Sequence, residues 1–443
     1  MSTNPAVPTR RWPGHNAIWR GHFYASLFGL PFVLWLSLTG SIYLFRPQIE
    51  AWIDQPYAHL VVNGAPAKAA DQVQAALRAV PGSTLAAYEL PATTEQAVQM
   101  LLRAPLGDVR VYVHPQTQAV LRVVDEDSRI MKIVFRLHGE LLAGPIGSYL
   151  VELAASWTIV MIVTGLALWW PRGGGLAGVV YPRLRAGGRR FWRDIHGVTG
   201  FWVSVAALFL LLSGLPWAQS WGGYLKLIRH VVEGAPAKQD WSSAHGDHHM
   251  AMNASTRAPS FEPIDRVVAI VRPLALAPPV LIAPPARAGE PWTAKSDAAN
   301  RPRRTDLTLD GATGRLLTRR DFAQRRLIDR VVGYGVAIHE GQAFGALNQL
   351  LNLLTAIGLM LLSVSGAILW WRRRPSGSLG APPQRPAAPL VRGFAVVLIG
   401  LGVLLPLFGL SLAVVLLADR LLPTRAPAIA RWLGSGGGQR RRV

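Results

Sequence analysis

Five long apolar stretches constrain this chain more than any other feature. They cover 23–45, 147–170, 201–217, 346–371 and 393–418. A helix rises 1.5 Å per residue and the hydrocarbon layer of a bilayer is about 30 Å thick, so about 20 apolar residues make one crossing. With 50% hydrophobic residues in 443, the pattern predicts an α-helical integral membrane protein of about five spans rather than a set of soluble domains. The first stretch is too long for a removed signal peptide, and no small-residue cleavage site follows it. It is expected to stay as the first span.

The formal net charge of +21 is distributed for a bilayer and not for nucleic acid. Arg10, Arg11 and Arg20 precede the first stretch. Arg172, Arg183, Arg185, Arg189, Arg190 and Arg193 lie between the second and third, and Arg372, Arg373 and Arg374 follow the fourth. Such clusters mark the cytoplasmic side. The expected order is a cytoplasmic amino terminus (1–20), spans at 21–45, 147–171, 194–217, 346–371 and 392–419, and cytoplasmic segments at 172–193 and 372–391. Two large outer segments (46–146 and 218–345) and a tail (420–443) complete it. Trp169-Trp170 and Trp370-Trp371 stand where an interfacial aromatic belt belongs. Five spans would leave the tail outside, while its basic ending, "GQRRRV", argues the other way. The chain has no cysteine, which excludes disulfides, iron–sulfur clusters, thiolate zinc sites and covalently attached c-type haem.

An internal duplication is visible. When "FRLHGELLAG" is aligned without gaps on "VAIHEGQAFG", His138 meets His339, Gly144 meets Gly345, Thr164-Gly165 meets Ser365-Gly366 and Trp169-Trp170 meets Trp370-Trp371. Aligning "GHFYASLFGL" on "IHGVTGFWVS" pairs His22 with His196, and eighteen residues later Gly40 with Gly214. The outer segments echo each other through "VYVHPQTQAVLRVV" and "LTLDGATGRLLTRR", each preceded by a helical pattern. The expected unit is span, outer α+β domain, span, present twice in parallel orientation, with the fifth span appended.

Depth sorts the four histidines into two layers. His22 and His196 follow Arg20 and Arg193 at the cytoplasmic start of their spans. His138 and His339 precede the inner-end glycine by twenty-seven residues, about 40 Å of helix, which places them at or above the outer interface. A twofold relation would make each equivalent pair face across the axis. Two facing imidazoles in an apolar bundle suit haem iron, one axial ligand from each of two helices, and two stacked haems would form an electron path. The same pairs could hold a bare transition metal if carboxylates joined them, or be interfacial polar residues copied by the duplication.

These residues resemble the PepSY-associated transmembrane family of bacterial inner-membrane proteins. The matching features are "WRGHFYASL", "VYVHPQTQAVL", "FRLHGELLAG", "TGLALWWPR", "RDIHGVTGFW" and "SGAILWWRRRP", and the resemblance covers nearly the whole chain. It implies two small periplasmic α+β domains of the PepSY type. Iron-regulated members imply b-type haem and reduction of periplasmic ferric siderophores. The ligand role would fall on His22, His138, His196 and His339.

Other groups carry weaker signals. The loop "AHGDHHMAMN" gathers His245, His248 and His249 with Asp247, Met250 and Met252, a set that suits copper, iron or zinc, or a plain polar loop. Arg20 and Arg193 could pair with haem propionates, or simply follow the positive-inside rule. Glu152 is expected as a shallow, solvated acid, and Asn348 with Asn352 as helix–helix hydrogen-bonding residues. No dinucleotide fingerprint, phosphate loop or nucleophile signature is present, so electrons would come from outside the chain, from quinol or a cytoplasmic reductase. The expected activity is that of a membrane ferric-chelate (siderophore) reductase with two b haems. The alternatives are a membrane-anchored module that binds a periplasmic protein or peptide, and a metal permease with the His/Met loop as its vestibule.

Overall fold

The computed structural model describes residues 14–170, 176–233, 261, 263–287, 289–382 and 392–434. In chain order the helices are α1 (His15–Tyr43), α2 (Arg46–Asp54), α3 (Ala69–Ala79), α4 (Ile130–Glu140), α5 (Gly144–Trp169), α6 (Gly188–Gly214), α7 (Gln219–Glu233), α8 (Pro263–Val271), α9 (Leu327–His339), α10 (Gly345–Trp371), α11 (Arg392–Leu404), α12 (Pro406–Arg425) and α13 (Pro427–Leu433). The strands are β1 (Thr84–Leu90), β2 (Val98–Ala104), β3 (Gly107–Val113), β4 (Val120–Asp125), β5 (Val280–Ala283), β6 (Trp292–Ser296), β7 (Thr305–Leu309) and β8 (Leu316–Asp321). Contacts divide the chain into a helical unit (Met1–Ser41, His138–Gly234, Leu353–Val443) and a sheet unit (Ile42–Leu137, Ala235–Asn352).

The sheet unit holds one antiparallel sheet ordered β4-β3-β2-β1-β5-β6-β7-β8. The two strand sets, expected in separate domains, are joined where Tyr88 of β1 pairs with Ile282 of β5. Joining them removes two exposed strand edges that separate domains would have to protect. Alternation supplies the buried face: Val98, Met100 and Leu102 of β2, and Val111 and Val113 of β3, are fully buried. Against that face lie Val73 and Ala76 of α3 and Ile264, Val267 and Val271 of α8, spaced three, four and seven apart as one helical stripe requires.

The opposite side of the sheet carries charge. Arg110 of β3 meets Glu126 at 2.9 Å and Glu89 at 3.0 Å, and Glu126 meets Arg129 at 2.8 Å. In this cluster each partly buried ion has a partner of opposite charge, which is the condition for burying it at tolerable cost.

In the helical unit, five helices are long and apolar enough to cross a membrane: His15–Tyr43, Gly144–Trp169, Gly188–Trp217, Gly345–Trp371 and Pro406–Arg425. Two of them begin at a break. Gly144 and Gly345 have φ of +57° and +61°, a left-handed conformation in which glycine carries no Cβ penalty. This is why the two glycines recur at the same distance after His138 and His339.

The last apolar stretch, expected as one span over 392–419, is two helices. At Leu405 the backbone leaves helical geometry (ψ 85°), and Pro406 starts α12 without an N–H to continue the ladder. The chain turns back on itself. A Cβ on Gly409 would stand 2.6 Å from the Gly402 carbonyl oxygen, whereas a straight helix separates residues seven apart by about 10 Å. The Trp221 indole donates to Leu404 O (3.1 Å) at the turn. Beyond α12, the chain returns to the start of α1: Arg20 donates to the carbonyls of Pro382 and Gly434, and the Tyr24 hydroxyl donates to Leu433 O. Residues 382 and 434, before and after this hairpin, therefore lie at the same end of the bundle, the end where α1 begins.

Candidate cofactor site

Helices α1, α5, α6 and α10 line a partly open cavity of about 800 Å³, within the size range of small-molecule and cofactor sites. His22 of α1 and His196 of α6 both line it, with an apolar body supplied by residues such as Leu27, Leu30, Ile162 and Leu359. Among the described residues, three arginines line it (Arg189, Arg193 and Arg373) and no carboxylate does.

Each imidazole is held the same way. His22 Nδ1 lies 2.9 Å from Thr164 Oγ1. That hydroxyl already donates its proton to Val160 O (2.8 Å), so it accepts here and His22 Nδ1 carries the hydrogen. His196 Nδ1 lies 3.1 Å from Ser365 Oγ and 3.2 Å from Leu362 O. A carbonyl can only accept, so Nδ1 is again the donor. His138, in the last turn of α4, repeats the arrangement: its Nδ1 is 3.0 Å from Thr39 Oγ1, whose proton goes to Trp35 O (2.9 Å). In His22 and His196, with the hydrogen on Nδ1 of a neutral ring, the Nε2 lone pair is available to a metal, and the anchored Nδ1–H fixes ring orientation.

The residue after each hydroxyl is glycine. A Cβ on Gly165 would come within 3.2 Å of His22 Cε1, one on Gly366 within 3.4 Å of His196 Cε1, and one on Gly40 within 3.1 Å of His138 Cε1. A hydroxyl residue followed by glycine thus forms the seat for each ring. The internal duplication pairs Thr164-Gly165 with Ser365-Gly366 and Gly40 with Gly214, but no local pattern assigns them, or Thr39, to the histidines. Their signal was the recurrence of Thr39-Gly40, Thr164-Gly165 and Ser365-Gly366 near span ends. Ser213-Gly214 is the same dipeptide in the equivalent register of α6.

His339 ends α9 in the sheet unit. Asn352 Nδ2 donates to the carbonyls of Ile338 (2.6 Å) and His339 (3.0 Å), and Asn348 Nδ2 donates to Ile338 O (3.0 Å). The two asparagines therefore add side-chain donors to the last carbonyls of α9 and fix the corner that carries His339.

Arg193 lines the cavity while paired with Asp194 (3.0 Å). Arg20 does not line it: its guanidinium is taken by the carbonyls of Pro382 and Gly434 and lies against Tyr24. Glu152, expected in solvent, is buried. Its carboxylate accepts from the backbone N–H groups of Ser220 (2.8 Å) and Trp221 (3.0 Å) and so caps the first turn of α7. His245, His248 and His249 lie outside the described residues. Among the described residues, no three His, Asp or Glu side chains gather in a group that could hold a bare metal ion.

The donor set fits a haem: an apolar slot, two imidazoles with free Nε2, and a cationic rim for carboxylates. Residues 19–373 match the model of a family described as the PepSY-associated TM region. No curated protein matches the chain.

Proposed function

The chain belongs to the PepSY-associated TM family of membrane proteins, and from that premise we propose that it carries electrons across a bacterial inner membrane to reduce a periplasmic ferric chelate of the siderophore class. In this reading the chain is a duplicated unit, the amino terminus is cytoplasmic, and the sheet unit is periplasmic. Haem b, when bound, would supply a reversible one-electron carrier at each of two levels.

The observation that carries the reading is the cavity with His22 and His196 on it, both with the hydrogen anchored on Nδ1 and Nε2 free. His22 and His196 would hold the iron of the inner haem. Thr164 and Ser365 hold these rings in one tautomer and raise their basicity by accepting the Nδ1 hydrogen. Gly165 and Gly366 let the rings lie close against their helices. His138, seated by Thr39 and Gly40, would supply a ligand for the outer haem; the duplication pairs it with His339, whose corner Asn348 and Asn352 fix.

Electron balance is simple. One electron converts one Fe(III) chelate to Fe(II). One quinol, oxidised to quinone with release of two protons, would therefore reduce two chelates, and a cytoplasmic reductase would pass electrons singly. Hard oxygen ligands hold Fe(II) less tightly, so the metal is released for uptake. Neither histidine pair is asked to move a proton.

The test is an absorption spectrum of the detergent-solubilised protein, oxidised and dithionite-reduced, with pyridine-haemochrome quantitation. Two low-spin b haems per chain, falling to one on His22→Ala or His138→Ala, is the expected result. Re-oxidation by an added ferric siderophore then tests the substrate. A haem-free protein after expression with ample haem would sink the redox reading.

A further inference from the structure

Two hydrogen-bond donors on the cavity wall, Trp169 Nε1 and Arg373 Nε, are buried without an acceptor among the described residues. Neither can swing away to find one. The Trp169 indole is stacked on Phe201 with ring centroids 4.6 Å apart and planes 14° apart, and it lies against Gly197, where a Cβ would come within 2.9 Å of its Cδ1. The Arg373 guanidinium stands 5.0 Å from the Trp19 ring and 5.3 Å from Phe23, while its Nη2 donates to Gly380 O (3.1 Å).

A buried donor left unpaired is costly, and more so when it is charged. Among the described residues the charge itself is also unanswered. Arg193 has Asp194, but the groups placed around Arg373 are ring faces, a carbonyl and the like charge of Arg189. Burial first, and Arg189 second, hold the Arg373 guanidinium below its usual pKa. An anionic group at this end of the cavity would satisfy both donors and the charge together.

We propose that Arg373 and Trp169 form the carboxylate clamp of the cavity, receiving the propionate end of the haem while His22 and His196 receive its iron. This rests on the haem reading above. It moves the role foreseen for Arg20 and Arg193 to a residue after α10 and to an indole at the end of α5. Arg20 is engaged by the carboxyl-terminal segment, and Arg193 already has a carboxylate.

The test uses full-length protein carrying His138→Ala, which keeps only the inner pair, prepared without haem. It is titrated with haem and with haem dimethyl ester, whose propionates are esterified and uncharged. The parent should bind haem roughly tenfold or more tightly than the ester, the size of one charge-assisted hydrogen bond. Arg373→Gln should bind the two about equally, and Arg373→Lys should recover part of the preference. Trp169→Phe, which keeps the stack on Phe201 and lacks the N–H, should shift the preference in the same direction by less.

If Arg373→Gln keeps the parent's preference, the clamp is overturned and the haem site stands. If the parent binds neither porphyrin, the haem reading fails and takes the clamp with it. An anionic lipid that co-purifies with the parent, is lost from Arg373→Gln and leaves the haem preference unchanged would assign the donors to a lipid phosphate and overturn the propionate.

Discussion

Thr164 Oγ1 accepts the Nδ1 hydrogen of His22 at 2.9 Å while donating its own proton to Val160 O at 2.8 Å. One hydroxyl on α5 therefore decides which nitrogen of a ring on α1 is available to a ligand. The same logic, with Ser365 and Thr39 as the hydroxyls, covers His196 and His138.

Removing that acceptor should weaken the site without removing the ligand. On the haem reading proposed above, Thr164→Val, which keeps the volume and loses the hydroxyl, should lower inner-haem affinity by about 10- to 100-fold, the usual effect of losing a partner behind a ligating histidine. Thr164→Ser should stay near wild type. The rate of haem transfer to an apo-globin acceptor measures both.

The glycine beside each ring is a steric requirement. Gly165→Val would drive a side chain into His22, whose Cε1 would lie 3.2 Å from the first added carbon alone. Loss of the inner low-spin haem signal with the outer one intact is the expected spectrum. Gly223→Ala in α7, where nothing lies within 4 Å of an added carbon, serves as the control and should leave both signals unchanged.

The α11–α12 hairpin predicts that both termini are on one side of the membrane. Tags placed before residue 14 and after residue 434 should be cleaved or labelled from the same side in oriented vesicles. Opposite accessibility would contradict the return of α13 to Arg20 and Tyr24.

In the sheet unit, burial pushes the Glu89 carboxyl up, while the Arg110 guanidinium 3.0 Å away opposes it by less. A carboxyl raised in the folded state stabilises the fold below its unfolded value of 4.5, and that contribution is lost as pH rises through the folded value. Glu89→Gln cannot ionise and still faces Arg110, which keeps Glu126 at 2.9 Å. Relative to wild type, the variant's thermal midpoint should be equal at about pH 4 and equal or higher at about pH 8. A variant that loses most at the higher pH would mean that Arg110 needs both charges.

Much of the molecule follows from local composition. The apolar runs and the arginines beside them specify where helices cross, because each depends only on residues adjacent in sequence. The recurrence of His22 with His196, and of His138 with His339, marks the candidate ligands without any knowledge of packing. The glycines at 144 and 345 likewise mark the breaks at which α5 and α10 begin, since a positive φ is a property of one residue.

Tertiary structure decided what each of these residues meets. His22 reaches a hydroxyl 142 residues away, His138 one 99 away, and His196 one 169 away. No local pattern assigns such partners, because they depend on how each helix is rotated about its axis, and one residue of slip turns a helix by about 100°. The same holds for Arg20, drawn to the carboxyl-terminal segment, for Glu152, buried as the cap of α7, and for Arg373, left on the cavity without an anion. The last apolar run shows the division most clearly. Its hydropathy specifies a place in the bilayer, but whether it crosses once or turns back at Leu405 rests on Gly402 and Gly409 coming close enough to touch.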